Sequence, residues 1–208
     1  MDAGRVLSDA DPPLRDEPVF ESRRTRVTRL FLAGRTVIRK QLLGPDAERR
    51  LRREVGILQR LRGVEGVTQL VDRPRYGDSL VLTDAGSTTL AALATPLAAD
   101  ELLGLASGLA RAVAGMHRCA VLHRDVSPAN IVVSGDGAPT LVDFALATSV
   151  AELRPGFTHP TEIVGTLAYL APEATGRTGR AVDQRGDLYA LGATLYELAT
   201  GAPPFDTG

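Results

Sequence analysis

A single cysteine, Cys119, is all the thiol this 208-residue chain contains. It cannot close an internal disulfide or form half of a paired-cysteine metal motif, so redox or zinc chemistry is not expected, and a reducing, cytoplasmic setting is. Excess charge of either sign is also missing: 24 Lys+Arg face 25 Asp+Glu, for a formal net charge of -1. A near-neutral chain offers no electrostatic case for binding nucleic acid or an anionic membrane. Nor is there a long apolar run. The most apolar stretch, residues 90–116, is interrupted by Pro96, Asp100, Glu101 and Arg111, short of the roughly 20 unbroken apolar residues that span a bilayer. The first 16 residues mix acids, prolines and arginines around no apolar segment, so neither a signal nor a transit peptide is expected and the stretch reads as a flexible tail.

Lysine is as scarce as cysteine. Of the 24 basic residues 23 are Arg, and the one Lys is Lys40. In a chain whose Ala, Arg and Gly content turns tolerant Lys positions into Arg, a surviving Lys marks either chance or a narrow phosphate site that admits a compact ammonium and not a planar guanidinium. What is present suffices for a folded core: 44% of residues are hydrophobic and 24% charged, enough for one large domain or two small lobes.

Residues 17–43 read as a strand meander, with RVTRLFL and TVIRKQLL alternating around a turn at Ala33 and Gly34. The spacing predicts a helix from a cap at Asp46 to about Arg62, with Leu51, Val55, Leu58 and Leu61 on its apolar stripe. Glu54 falls on that apolar side, where a carboxylate needs a partner, and Lys40 on the preceding strand is the economical one. Two further strands, residues 67–72 and 79–83, would complete a small antiparallel sheet of five strands with one helix. From Pro96 the pattern turns helical, with one stripe at Leu102, Leu105, Leu109, Val113 and Met116. A second long helix is expected over 183–200, with Leu188, Leu191, Leu195 and Leu198 on one face and Gly201 as its stop.

The chemistry lies between these helices. VLHRDVSPANIVV places Asp125 and Asn130 five residues apart in a loop bounded by short apolar runs, and TLVDFA sets Asp143 directly after a third run. Singly, an Asp or Asn in a turn caps its own backbone. Together they offer a carboxylate to orient a hydroxyl, and an amide oxygen and a second carboxylate of the kind magnesium takes alongside water and phosphate. Lys40 and Glu54 would clamp phosphates.

These residues resemble those of eukaryotic-like serine/threonine protein kinase domains, over about residues 18–205. The resemblance implies an α+β, bilobal fold with a tail at 1–16, an N-lobe at 17–84 and a mostly helical C-lobe at 85–208, incomplete after the long central helix and exposing apolar surface there. It implies ATP and Mg2+ as cofactors. His123, Arg124 and Asp125 match the catalytic loop, with Asp125 as the base and Asn130 as a metal ligand. Asp143 matches the metal-binding Asp of the DFG element, and Lys40 and Glu54 match the strand lysine and its helix partner. Gly165 and Thr166, then Ala171, Pro172 and Glu173, match the end of the activation segment, with Thr166 bracing the Asp125 loop and Thr158 or Thr161 as phosphosite candidates. Asp187 matches the helix Asp behind the catalytic loop. Val27 and Ile38 would lie above an adenine ring and Val132 below it, with Leu82 as gatekeeper and the Thr83 to Ala85 backbone at the hinge. His117, His159 and Cys119 are read as structural. The stretch around GTLAYLAPEATGRTGR and the N-terminal ESRRTRV are similar to the kinase domain that opens large bacterial signalling proteins, so an ATP-binding region and a sensor histidine kinase are expected to follow in a longer parent.

Three departures from the pattern stand out. Phe20, Ser22 and Thr25 stand where the glycine-rich loop has glycines, Ala145 replaces the DFG glycine, and Ser127 replaces the lysine two residues after the base. These changes should slow phosphoryl transfer more than they weaken nucleotide binding. The expected function is therefore a protein serine/threonine kinase acting on an unidentified protein. A nucleotide-binding pseudokinase and a small-molecule phosphotransferase are the alternatives.

Overall fold

A computed structural model describes residues 13–72, 76–153, 166–175 and 182–205. The chain forms two compact units. One comprises Met1–Arg62 and Thr68–Asp84, the other Gly63–Val67 and Ala85–Gly208. The expected phosphosites Thr158 and Thr161, together with His159 and Gly165, lie outside the described residues.

In the first unit, β1 (Arg15–Glu21), β2 (Thr25–Leu32), β3 (Arg35–Leu42) and β4 (Ser79–Thr83) form an antiparallel sheet in that order. Gly34, at φ 79°, makes the β2–β3 turn, a backbone conformation that costs glycine nothing. The register sorts the side chains. Leu30, Val37 and Val81 form one buried cluster, packed by Leu32, Val71 and Tyr76. Val27, Arg29, Ile38, Lys40, Leu80 and Leu82 share the opposite face, because each lies directly across from another of the set. Helix α1 (Ala47–Arg60) packs against β3 and β4.

Among the described residues, four regular strands stand where five were expected. Residues 69–71 still run beside β4: Leu70 bridges Leu82, Val71 N–H donates to Val81 O at 2.8 Å and Thr83 N–H to Gln69 O at 2.9 Å. The Thr83 hydroxyl, however, accepts the Gln69 N–H at 3.1 Å, so a side chain takes a donor that a longer ladder would use. The helix also differs in detail. Asp46 precedes α1 without a side-chain capping bond, its carboxylate being held by Arg49 at 3.3 Å. The buried stripe is Glu54, Ile57, Leu58 and Leu61, rotated from the expected one so that Leu51 and Val55 are only half-buried.

The second unit is built on α2 (Ala99–Arg118) and α3 (Arg185–Thr200), with β5 (Thr88–Thr89), β7 (Ile131–Val133) and β8 (Pro139–Leu141) in one small sheet and β6 (Val121–Leu122) paired with β9 (Thr148–Ser149). On α2, Leu105, Leu109, Val113 and Met116 are buried as their spacing predicts. Gly201, at φ 87°, ends α3 and donates its N–H to Glu197 O at 2.7 Å, the left-handed stop a glycine permits. Here too one expectation fails: Leu188 is 52% exposed, and the face of α3 that is buried carries Asp187, Ala190, Leu191, Thr194 and Leu198. A buried carboxylate at the start of that face shifts the stripe from the purely apolar one. Among the described residues, no helix is long and apolar enough to cross a membrane.

Candidate active site

Strand alternation in β3 turns Lys40 inward, and the 3.6-residue period of α1 does the same for Glu54. Their side chains are 5% and 3% exposed, and Nζ stands 2.7 Å from Oε1. Two charges removed from water persist only in good mutual geometry, so each explains the other's burial. Val27, Ile38 and Leu82 lie on the same sheet face as Lys40, which gathers the expected adenine-facing residues of the first unit. Thr83 ends β4, whereas Ala85 and Val132, the latter on β7, belong to the second unit.

The turn from β1 to β2 stands where the glycine-rich loop would be. Ser22 Oγ accepts the N–H groups of Arg24 and Thr25 at 3.2 and 3.1 Å, and Ser22 N–H donates to Thr25 O at 2.8 Å. Arg50 on α1 anchors the turn by donating to the carbonyls of Arg24 and Leu43. A glycine-rich loop cradles phosphate with open amides, and here a serine hydroxyl already holds two of them. This was missed at the level of sequence, although a serine two and three residues ahead of the amides it caps is a known turn signature.

In the second unit the loop expected to be catalytic is organised around Asp187, which is 2% exposed. Its Oδ2 accepts from the His123 N–H at 3.0 Å and its Oδ1 from the Arg124 N–H at 2.9 Å, while His117 Nε2 lies 2.9 Å from Oδ2. These bonds hold Arg124 at φ 68°, a left-handed conformation that costs a non-glycine residue energy and persists where the surroundings dictate it. The His123 ring is fully buried and set edge-on to Phe144, with centroids 4.7 Å apart. Its Nε2 lies 3.1 Å from Val142 O, and Asp125 N–H donates to its Nδ1 at 3.3 Å. In this pattern Nε2 is the nitrogen placed to donate and Nδ1 the one placed to accept. Truncating Asp187→Ala strands the donors it satisfies and should lower stability by about 3 kcal/mol, measured by denaturant unfolding.

Asp125 is held from two sides. Its Oδ1 accepts Thr166 N–H at 2.7 Å and Thr166 Oγ1 at 2.9 Å, and its Oδ2 accepts Asn130 Nδ2 at 2.8 Å. The same amide nitrogen reaches Asp125 O at 2.9 Å. Of the roughly four acceptor positions on a carboxylate, these bonds fill two on Oδ1 and one on Oδ2. Among the described residues nothing else bonds Oδ2, and the position left there suits one incoming hydroxyl.

Because the Asn130 nitrogen is committed to Asp125, its Oδ1 is the atom that remains for a cation. Asp143, at φ 60°, adds a carboxylate whose Oδ1 accepts Ala145 N–H at 3.3 Å, and Val142 N–H donates to Asn130 O at 3.0 Å, tying the two segments together. One amide oxygen and one carboxylate form a sparse, hard, oxygen-only donor set. That fits magnesium, which keeps several waters and substrate phosphate oxygens, and does not fit a softer metal.

Ser127 is fully buried and, among the described residues, its hydroxyl has no hydrogen-bond partner. An orphaned buried hydroxyl costs energy, so Ser127→Ala should raise stability by about 1 kcal/mol in a thermal melt. His117, read from sequence as structural, is a positioning residue for the loop through Asp187; its place at the last turn of α2, six residues before His123, was the only available signal. A second link also escaped notice: Tyr169 hydroxyl donates to Glu197 Oε2 at 2.5 Å. Burial, and then the adjacent Glu197 carboxylate, push this phenol far above its ordinary value, so the bond persists throughout the physiological pH range. Glu173 sits half-buried in the short turn Pro172–Thr175.

The chain is similar in sequence to known proteins. Residues 24–208 match the family model described as protein kinase domain. The chain is 38% identical over 186 residues to the DNA damage-responsive serine/threonine-protein kinase RqkA of Deinococcus radiodurans, covering 84% of this chain and 27% of that protein. It is 38% identical over 130 residues to serine/threonine-protein kinase PknB of Mycobacterium tuberculosis and 35% identical over 130 residues to PknB of Mycolicibacterium smegmatis, each match covering 62% of this chain and 20% of the relative. The chain thus spans about a fifth to a quarter of the length of these relatives. With a match running from the turn before β2 to its last residue, the chain belongs to the protein kinase family.

Proposed function

We propose that this chain is an ATP- and magnesium-dependent protein serine/threonine kinase domain of bacterial signalling, which positions a protein hydroxyl at Asp125. The observation that carries this reading is the Asp125 carboxylate, fixed by Thr166 and Asn130 with one acceptor position left on Oδ2. Magnesium, when bound, would neutralise charge developing on the transferred phosphoryl group, held by Asn130 and Asp143. The buried Lys40, fixed by Glu54, would serve the nucleotide phosphates. Catalysis of this kind rests on positioning and electrostatic stabilisation rather than on a covalent step. A small-molecule phosphotransferase is disfavoured by the Thr166 bond to Asp125, since that residue belongs to the segment that offers a shelf to a peptide. We place the domain in the cytoplasm, at the head of a longer parent with ATP-binding and sensor regions, on the resemblance of its N-terminal and activation-segment motifs.

A pseudokinase is the second reading, favoured by the self-capped turn at Ser22–Thr25 and by the buried Ser127 in place of a phosphate-neutralising lysine. The test is transfer of radiolabelled phosphate from magnesium ATP to the chain itself and to a generic basic protein. Label that is lost in both Lys40→Met and Asp125→Asn establishes the kinase. No label in a chain that still binds ATP, with binding weakened by Lys40→Met, establishes the pseudokinase.

A further inference from the structure

Arg29 on β2 is charged, 12% exposed, and lies on the sheet face of Val27, Ile38 and Leu82. It stands directly across from Ile38, which stands across from Leu82. Its guanidinium reaches over β3 to Asp84, with Nε 2.7 Å from Oδ2 and an Nη atom 3.3 Å from Oδ1. The Asp84 side chain is 9% exposed. On its other side Arg29 lies 3.9 Å from Glu17, its pairing neighbour on β1. A two-pronged Arg–carboxylate pair fixes orientation as well as distance, and one this buried gains more from its geometry than exposed pairs do.

The place of Asp84 gives the pair a consequence. It follows Thr83 at the end of β4 and precedes Ala85, so it lies between the two residues whose backbone groups would read an adenine edge. Thr83 is itself fixed through its side chain, since its hydroxyl accepts Gln69 N–H at 3.1 Å and lies 3.4 Å from Thr68 Oγ1. With the Asp84 carboxylate locked as well, the peptide groups on either side of it have little freedom to rotate. We propose that Arg29 and Asp84 are a positioning pair that presets the Thr83–Ala85 backbone for the nucleoside base, so that base affinity is set from within the sheet. This inference rests on the nucleotide-binding reading and assigns the base, rather than the phosphates, to this pair.

The experiment measures binding of a fluorescent ADP analogue to the 208-residue chain, and its displacement by adenosine and, separately, by magnesium tripolyphosphate. Arg29→Met and Asp84→Asn should each weaken adenosine by about tenfold, as small displacements of a preset site do, and leave tripolyphosphate unchanged. Lys40→Met should show the reverse pattern. Arg29→Lys, which keeps the charge and loses the fork, should fall between, and exchanging the pair (Arg29→Asp with Asp84→Arg) should recover part of the loss. Should Arg29→Met fail to fold, Asp84→Asn and Arg29→Lys carry the same test. Unchanged adenosine affinity in these variants, with only a lower melting temperature, overturns the inference and leaves a structural strap. A wild-type chain that binds no adenine nucleotide overturns the nucleotide-binding reading and this inference with it, and is recognised because the wild type itself is silent.

Discussion

Phosphoryl transfer falls by about 10³-fold in Asp125→Asn, the size of effect expected when a positioned acid–base group is lost, while nucleotide affinity changes little. The reason lies in the direction of the hydrogen bonds. Thr166 N–H donates to Oδ1 and Asn130 Nδ2 to Oδ2, so both carboxylate oxygens face donors. An amide at this position must turn its own NH2 toward one of them. If it faces Asn130, the acceptor position meant for the substrate hydroxyl becomes a donor. If it faces Thr166, that hydroxyl can rotate to accept, but the N–H at 2.7 Å cannot. Either way the loop loses a contact and the substrate loses its proton acceptor. Steady-state kinetics on a peptide substrate separates these effects: kcat drops and KM for ATP stays near its wild-type value. An unchanged kcat would show that Asp125 only braces the loop.

The second large effect is on stability and activity together. Lys40→Met strips the buried Glu54 of its ammonium, and breaking a buried pair from one side costs about 3–5 kcal/mol. The double change Lys40→Met with Glu54→Leu should recover most of that loss, because two apolar side chains then occupy a site 5% and 3% exposed with no charge left to solvate. Activity, by contrast, should stay lost in the double variant. Denaturant unfolding and phosphate transfer measured on the wild type, Lys40→Met, Glu54→Leu and the double variant form a cycle. If stability fails to recover, the pair is more than a mutual neutralisation and the first unit depends on it for its packing.

Much of this was legible in the chain because the relevant signals are local. Alternation in TVIRKQLL turned Lys40 to the side where Glu54 waits, and Gly201 stopped its helix as glycine does. The order of Asp125, Asn130 and Asp143 was visible in the same way, as polar residues placed after short apolar runs. What the sequence hid depends on which atoms bond at a distance. The fifth strand shrank to a bridge because a threonine hydroxyl took a backbone donor. The stripe of α3 could not be read as purely apolar because Asp187, buried beneath the catalytic loop, takes part of the face that Leu188 was expected to fill. His117 looked like any histidine at a helix end, since its partner lies 70 residues further on. The Arg29–Asp84 pair spans 55 residues and no periodicity points to it.

The turn that replaces the glycine-rich loop bears on timing. A flexible flap whose amides wrap a phosphate must open before product leaves, and such motions set the pace of many enzymes. The Ser22–Thr25 turn closes on itself and is tied to α1 through Arg50. Its amides should therefore exchange with solvent deuterium at the same slow rate in the empty and the nucleotide-loaded chain. Nucleotide would come and go past a fixed rim, making exchange of ADP for ATP fast and leaving the chemical step to limit turnover.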